Sequence, residues 1–512
     1  MDLKSSAQQA IINEVLKHGH STKTWRVLVI HERTAEILTN LFKTSELLSH
    51  EILKIQRIES KDRLSIPDHP AIYFIQPDDF LIDEIVKDHK DKKYSRYTLI
   101  TVEELTKNQF KKIDKLVDPP ITYNYLPLNF ICFDKNVFFC DFKNIHHVAK
   151  TINIFFNIHC LKEVDRAKCI EIDNIFEKEK QERRGDIIYF DRSYDLFTPL
   201  VKFYTFQALL NDFKIIDNNF CEDKNMDFSD QKLWKKIKYM HIAEINSVLS
   251  EEAALLNANM RKIQNADTKD LIKLVLEAPE QIQLKKEVSV FLGLLDQCIT
   301  RFEKQNLNTY SITQQNLILK KDENGHRYSP TSSEFFGLIN DDRIILEDKI
   351  RLWMLFILCG FEFTEKEYIS MVKTGILQKD YSKLLSKLRT LKPQAIYYQH
   401  SSSNYAISRY KPLLYYIISN FLKNKKGINF IRITKDVQSV ISSLRKSTFV
   451  FKKELASRNK RNIFVYINGG ITYAEIESAH ALEKEFGVSI LLGSSKIIDS
   501  ENFLDYINKS SL

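Results

Sequence analysis

Between Asp186 and Phe213 the chain reads DIIYFDRSYDLFTPLVKFYTFQALLNDF. The apolar run Ile187 to Phe190 brings Asp191, Arg192 and Asp195 to a strand end, and Thr198-Pro199 restarts the chain toward a helix bearing Phe206, Leu209 and Leu210. Strand ends in open α/β sheets are where ligands usually bind, so the stretch poses a choice between an acid/base pair and a charged scaffold. Acid/base work by Asp191 and Asp195 needs a second set of groups, a metal or a pKa-raising pocket, and nothing nearby in the sequence supplies one. Arg192 beside the two carboxylates lowers their pKa values and keeps both ionised, which suits an ion-paired scaffold better than a general acid.

Upstream, the apolar runs WRVLVI (25–30), AIYFIQP (71–77) and YTLITV (97–102) alternate with helical patterns such as TAEILTNLF (34–42). That rhythm predicts a parallel sheet covered on both faces. The Pro-rich DPPITYNYLPL (118–128) breaks it and marks a boundary near 130, where FICF and NVFFCDF open a second α/β segment containing the quoted stretch. From about 240, Ile242, Ile245, Leu249, Ala253, Leu256 and Met260 recur at helical spacing, as do Leu284, Val288, Phe291, Leu295 and Phe302. Helical patterning continues through EDKIRLWMLFIL (347–358) and SRYKPLLYYIISNFL (408–422), separated from the earlier helices by the polar KKDENGHRYSPTSS (320–333), a mobile loop or hairpin tip. Three late strands, NFIRI (429–433), NIFVYI (462–467) and VSILLGS (488–494), cannot make a large sheet alone, so they are expected to rejoin the sheet begun near 130.

Composition narrows the function classes. The 75 Lys+Arg against 67 Asp+Glu leave +8, too modest for 512 residues to require nucleic acid. The clusters KDHKDKK (87–93) and SRNKRN (457–462) read as solvated loops, with a weak attraction to acidic membrane surface as the alternative. Seven cysteines without a C-x-x-C pair fit a reducing compartment. No apolar stretch approaches the roughly 20 residues that span a bilayer, and the charged opening MDLKSSAQQAIINEVLK is no secretory signal, so a soluble cytosolic protein is expected.

The second glycine-bearing element is NIFVYINGGITYAEIESAHALEKEFGVSILLGSS, in which a strand meets Gly469-Gly470 and a helix opens near Thr472 with Glu475 at capping-box spacing. Such a helix N-terminus can bind phosphate, but neither G-x-x-x-x-G-K-[ST] nor G-x-G-x-x-G is present, so a structural βαβ unit is expected. His146-His147 and His159-Cys160 do not form a metal-ligand pattern, and no nucleophile elbow occurs, so neither metal nor cofactor is expected.

At this point the blocks converge on a family. D-R-S-Y-D-L-F-T-P-L-x-x-x-x-T-F-Q-A-L-L-x-D (191–212) resembles the central signature of the SM family, the syntaxin-binding regulators of SNARE-driven membrane fusion. WRVLVIHERTAEIL, RLSIPDHPAIYFIQP (63–77), LWKKIKYMHIAEI (233–245), DKIRL (348–352), ISRYKPLL (407–414) and GGITYAEIESAHAL with LLGSS resemble further blocks in family order over almost the whole chain. The resemblance implies a three-domain arch of two parallel-sheet α/β domains with a largely helical domain inserted into the second. Its boundaries fall at 1–129, at 130–243 continued by 428–512, and at 244–427.

It also implies a non-enzymatic role. Asp191, Arg192, Asp195, Pro199, Gln207, Gly469, Gly470, Tyr473, Glu475 and Gly493 become structural motif positions. The expected partners are a syntaxin-type SNARE and the assembled SNARE complex, held by a monomer recruited peripherally to membranes. Lys43 and Arg63 match basic residues that contact syntaxin in animal relatives, with plain solvated charge as the alternative for each. Glu36 reverses a basic residue of some relatives. Tyr125 and Phe133, in YNYLPLNFICF (123–133), overlie the pocket that takes the N-terminal peptide of syntaxin, with simple packing as their alternative. The 320–333 loop lies where relatives have a helical hairpin that can extend. HIAEI and the GGITYAEIESAH block look most like the exocytic branch; a Golgi, endosomal or vacuolar step is the alternative, and an α/β nucleotide-sugar or phosphoryl transferase using Gly469-Gly470 is the rival from another class.

Overall fold

The computed structural model describes residues 2–17, 24–179, 182–264, 268–377, 381–391, 405–423, 428, 430–434 and 461–509. Two compact units emerge, one of Met1–Asp191, Lys426–Gly470 and Glu483–Lys496, the other of Arg192–Lys425, Ile471–Leu482 and Ile497–Leu512.

The first unit holds two sheets. Strands β1 (Arg26–Ile30), β2 (Ile52–Arg57), β3 (Ala71–Ile75), β4 (Tyr97–Thr101) and β5 (Ile121–Tyr125) are all parallel, in the order β2-β1-β3-β4-β5. Every residue of β1 and β3 is buried, as a sheet covered on both faces requires. Val27 and Val29 face one cluster with Leu81, Ile82 and Ile85 of the helix Asp79–Lys90, while Leu28 and Ile30 face another. ITYNY, read only as part of a Pro-rich break, is the edge strand β5.

The second sheet uses β6 (Ile131–Asp134), β7 (Val137–Phe139), β8 (Phe155–Cys160) and β9 (Arg183–Asp191). After the small antiparallel pair β10 (Phe220–Cys221) and β11 (Met226–Asp227) of the second unit, the chain returns with β12 (Ile431–Arg432), β13 (Asn462–Asn468) and β14 (Ser489–Ser494). The order is β12-β8-β9-β13-β14-β7-β6, parallel except at its two outermost pairs. The late strands thus enter the sheet opened near residue 130, with β13 between β9 and β14. Leu28, Ile30 and Phe74 of the first sheet share a core with Phe138, Phe156, Tyr189 and Phe464 of the second. Of the basic stretch 457–462, only Arg461 and Asn462 lie within the described residues.

The second unit is mainly helical. Its helices include Phe206–Asp212, Lys232–Ile237, Ile242–Gln264, Thr268–Lys304, Leu307–Leu319, Ser332–Ile339, Leu346–Leu358, Leu413–Leu422 and Ser500–Lys509. Ile245, Leu249, Phe291 and Leu295 of the expected stripes are buried with Phe206 and Trp234, and Trp234 stacks on Phe291 at 5.7 Å; the side chain of Met260 lies outside the described residues. The helical pattern expected over 408–422 begins only at Leu413, because Pro412 occupies the cap and has no N–H to continue a helix from before it. Among the described residues no helix is long and apolar enough to cross a membrane.

Candidate functional site

The charges of the signature do not pair with one another as the sequence suggested. Arg192, fully buried, donates through Nη2 to Glu475 Oε1 at 2.5 Å, a partner 283 residues further on. Glu475 also builds the expected capping box at the start of the helix Tyr473–Phe486: its Oε2 accepts from the Thr472 backbone N–H at 2.9 Å, and the Thr472 hydroxyl accepts from the Glu475 N–H at 3.3 Å. The correction has a simple physical reason: a buried guanidinium needs a buried anion in reach, and Asp195 is already saturated by other donors. Asp195 Oδ1 accepts from the N–H groups of Phe197 (3.1 Å) and Thr198 (3.0 Å), and Oδ2 from the Thr198 hydroxyl (2.5 Å) and the Leu413 N–H (3.1 Å). It therefore shapes the turn that buries Pro199 and fastens the helix Leu413–Leu422. Asp191, half-buried at the end of β9, takes the side-chain amide of Asn468 from its register partner position on β13 at 2.8 Å. Asp191 and Asp195 thus take these bonds from different donor groups.

Farther along the signature, the Gln207 amide donates to Asn219 Oδ1 at 2.9 Å, where the Trp234 indole also donates, and Lys202 and Asp212 enter a buried ionic node. There Lys202 Nζ meets Asp212 at 2.6 Å and Asp348 at 3.1 Å, and Arg351 meets Asp212 at 2.6 Å and Glu347 at 2.5 Å. Burial opposes ionisation of Asp212, but Arg351 and Lys202 outweigh it and hold the carboxyl well below the usual range. The DKIRL block thus meets the signature through its own charged residues. Tyr473 donates its hydroxyl to Asn218 at 3.2 Å. Gly469 and Gly470 have φ of 103° and 113°, a region that side chains rarely adopt, which accounts for the diglycine. Gly493 in β14 leaves room for the Phe138 ring of β7, which a Cβ would strike.

In the first unit the expected partner-contacting residues have unequal freedom. Lys43 is exposed at the cap of the short helix Thr44–Ser49, its N–H donating to Glu46 at 2.7 Å. Glu36 lies exposed on the helix Glu32–Leu41 and pairs with Arg33 at 2.8 Å. Arg63 is no solvated charge. Its guanidinium is buried against Asp88 and lies 2.9 Å from Glu84, because Asp88, walled in by Tyr73, Tyr94 and Tyr97, needs a cation. Tyr125 and Phe133 have different neighbours. The Tyr125 ring is half-buried by His147, and Phe133 packs at 5.5 Å on Phe139. His147 Nδ1 accepts from the Asn129 N–H at 3.2 Å, so its proton sits on Nε2, 3.1 Å from the Tyr125 oxygen. Burial pushes this imidazole down to about 3. Among the described residues no group of three or more His, Cys, Asp or Glu is placed to hold a metal ion. Burial pushes the thiols of Cys132, Cys298 and Cys359 up to about 12, which leaves them poor nucleophiles.

The polar 320–333 segment forms a hairpin, with Lys321 bridged antiparallel to Arg327 and the turn closed by Gly325 at φ 84°. What supports it escaped the sequence reading. The helix Leu307–Leu319 buries a polar row: Gln314 accepts from the Lys202 N–H at 3.1 Å and donates to Leu200 O at 3.2 Å, and Gln315 accepts from the Tyr410 N–H at 2.6 Å. Tyr410 in turn touches Thr198 Oγ1 at 2.9 Å. The signal was present as SITQQN inside a helical stretch, but a search for apolar periodicity passes over a polar face that turns inward.

Comparison with known proteins adds one further set of findings. The model of the Sec1 family matches residues 26–506. Protein transport protein sec1 of Schizosaccharomyces pombe is 20% identical, the alignment covering 99% of this chain and 85% of that protein. Vacuolar protein sorting-associated protein 45 of Dictyostelium discoideum is 21% identical, covering 100% and 97%. The crystal structure of the Unc18-syntaxin 1 complex from Monosiga brevicollis superposes with a TM-score of 0.83 at 19% identity over 99% of both chains.

Proposed function

The chain belongs to the Sec1 family, and from that premise we propose that it is a non-enzymatic regulator of SNARE assembly that binds a syntaxin-type SNARE and promotes vesicle docking and fusion. The observation that carries this reading is the family match from residue 26 to 506, joined by whole-chain likeness to a protein crystallised with syntaxin 1. The task suits a protein of this kind: to favour one arrangement of an amphipathic helix bundle over others, it must present fixed surfaces and needs no bond-making chemistry.

Among the candidate contacts, Lys43 is exposed and is the proposed contact for a SNARE carboxylate, while Arg63 acts from within by holding its own loop through Ser60 O (3.3 Å). Tyr125 and Phe133 are the proposed lining for an N-terminal SNARE peptide. Recruitment to membranes is through the SNARE partner, by a cytoplasmic monomer. The exocytic step rests on the HIAEI and GGITYAEIESAH blocks. A second reading, another trafficking step, is favoured by the vacuolar sorting relative.

The test is titration of the purified chain with cytosolic fragments of its organism's syntaxin-type SNAREs, with and without their N-terminal peptides. Tight binding to one supports the reading and identifies the step; a loss on deleting the peptide supports the Tyr125 and Phe133 site. Failure to bind any of them, alone or assembled, removes the function. Stabilisation by a nucleotide-sugar in a thermal melt would instead favour the transferase rival.

A further inference from the structure

Arg409 is one of the largest fully buried side chains of the protein, yet among the described residues no carboxylate pairs with it. Its guanidinium is spent on neutral oxygens from three places: Nε donates to Ala406 O at 3.0 Å, Nη1 to Lys321 O at 3.2 Å and Asp322 O at 2.8 Å, and Nη2 to Asn316 Oδ1 at 2.5 Å. Two of these four bonds end on the first main-chain carbonyls of the 321–327 hairpin. Asn316 lies on the last turn of the helix Leu307–Leu319, which stops where Lys320 turns left-handed at φ 54°.

The hairpin itself is mostly exposed and makes its own closing bonds. Asp322 N–H donates to His326 O at 2.9 Å, Tyr328 N–H to Lys320 O at 3.1 Å, and Asp322 Oδ1 accepts from Asn324 and His326 at 2.9 and 2.8 Å. It is thus a preformed element, tied at its root to a buried fork. The other end of the tie is firm, since the next residue, Tyr410, is fixed by Gln315 and by Thr198 of the Asp195 turn.

We propose that Arg409 is a latch, a positioning residue whose bonds to Lys321 O and Asp322 O set the closed position of the hairpin, and that the hairpin opens as a unit when those two bonds break. The rigid planar fork is what the job requires. Nη1 alone takes both hairpin carbonyls, while Nε and Nη2 hold Ala406 O and Asn316 on either side and fix the plane of the fork, which a donor-free side chain of similar size such as methionine cannot do. Opening returns the two carbonyls to water and leaves the hairpin's internal bonds intact, so its cost is far below that of global unfolding.

The experiment is limited trypsin digestion of the full chain, which has cleavage sites at Lys320, Lys321 and Arg327. When closing is faster than cutting, the rate reports the open population. Loss of both charge-assisted bonds in Arg409→Met is expected to raise cleavage there by roughly 10- to 100-fold, with cleavage elsewhere unchanged. An unchanged rate at the hairpin, or an equal rise throughout the second unit, overturns the latch. Should that variant fail to fold, digestion of the unaltered chain in rising urea decides: cleavage at Lys320, Lys321 and Arg327 should climb much less steeply with urea than cleavage elsewhere in the second unit, because a local opening exposes little surface. An equal dependence at all sites overturns the proposal. The consequence for a client rests on the SNARE reading and is measured separately, as the association rate of Arg409→Met with a SNARE-motif fragment. A changed rate assigns the latch a role in binding, and an unchanged rate removes that role while the digestion result on the chain alone stands.

Discussion

Replacing Asp195 by Asn changes one atom and tests whether the signature is a scaffold. The carboxylate accepts two turn amides on Oδ1, and the Thr198 hydroxyl and the Leu413 amide on Oδ2. An Asn side chain has only one oxygen. If it keeps the turn amides, its NH2 faces the Leu413 N–H, and this buried donor goes unsatisfied at a cost of about 1–3 kcal/mol. If it flips, the amides of Phe197 and Thr198 lose their acceptor instead. The bonds that survive lose their charge assistance, which roughly halves their strength. Together these give about 3–5 kcal/mol for Asp195→Asn. For a unit of this size that is a drop of roughly 6–20 °C in midpoint temperature, read by thermal and urea unfolding. Asp191→Asn, at the half-buried end of β9 and with its partner Asn468 able to turn its amide to suit, should stay within about 1 kcal/mol of the unaltered protein. The reasoning is refuted if Asp195→Asn is as mild as that, or if Asp191→Asn is as costly as Asp195→Asn was expected to be.

Three further outcomes follow from the geometry. The ring protons of His147, whose pKa burial lowers to about 3, should show no titration by NMR between pH 5 and pH 8, and a midpoint near the ordinary histidine value would contradict its placement. Gly493→Ala drives a Cβ into the Phe138 ring and should cost about 1–3 kcal/mol, most of it recovered by Phe138→Leu in the same chain; a double variant no better than the single one would count against that contact. Asp186 is held low because hydrogen bonds from His159 (3.0 Å) and Arg461 (3.0 Å) outweigh the opposing effect of burial. Its folded pKa lies below the unfolded value, so its contribution is complete above about pH 4 and lost as pH falls through the folded pKa. The urea midpoint of the unaltered chain should therefore fall more between pH 5 and pH 3 than that of Asp186→Asn, and parallel declines would argue against the pair.

Much of the architecture was legible because its signals are local. RVLVI and AIYFI are apolar at every position, as strands covered on both faces must be, and the capping box needs only Thr472 and Glu475 at the right spacing. ITYNY escaped because an edge strand carries less apolar content, and its neighbouring prolines dominated the reading. The helix over Leu307–Leu319 hid its role for a different reason: it buries Ser311, Thr313, Gln314, Gln315 and Asn316 together with Leu307, Tyr310, Leu317, Ile318 and Leu319, so no amphipathic stripe marks its inward side. Arg63 read as a surface cation because a basic residue in a polar stretch usually is one; only the arrival of Asp88 from the helix Asp79–Lys90 makes it a buried one.

By itself the sequence determined the α/β alternation, the run of helices after residue 240, the return of the late strands and the ordered blocks of the Sec1 family. These follow from periodicity and turn chemistry, which each segment carries within itself. Which charge meets which was decided only by the tertiary structure. Arg192 finds Glu475 across 283 residues, Leu413 finds Asp195 across 218, and Arg409 finds the hairpin across 87. A buried charge takes whatever partner the closed chain brings within about 3 Å, and that distance is a property of how the segments pack, which spacing along the chain does not encode.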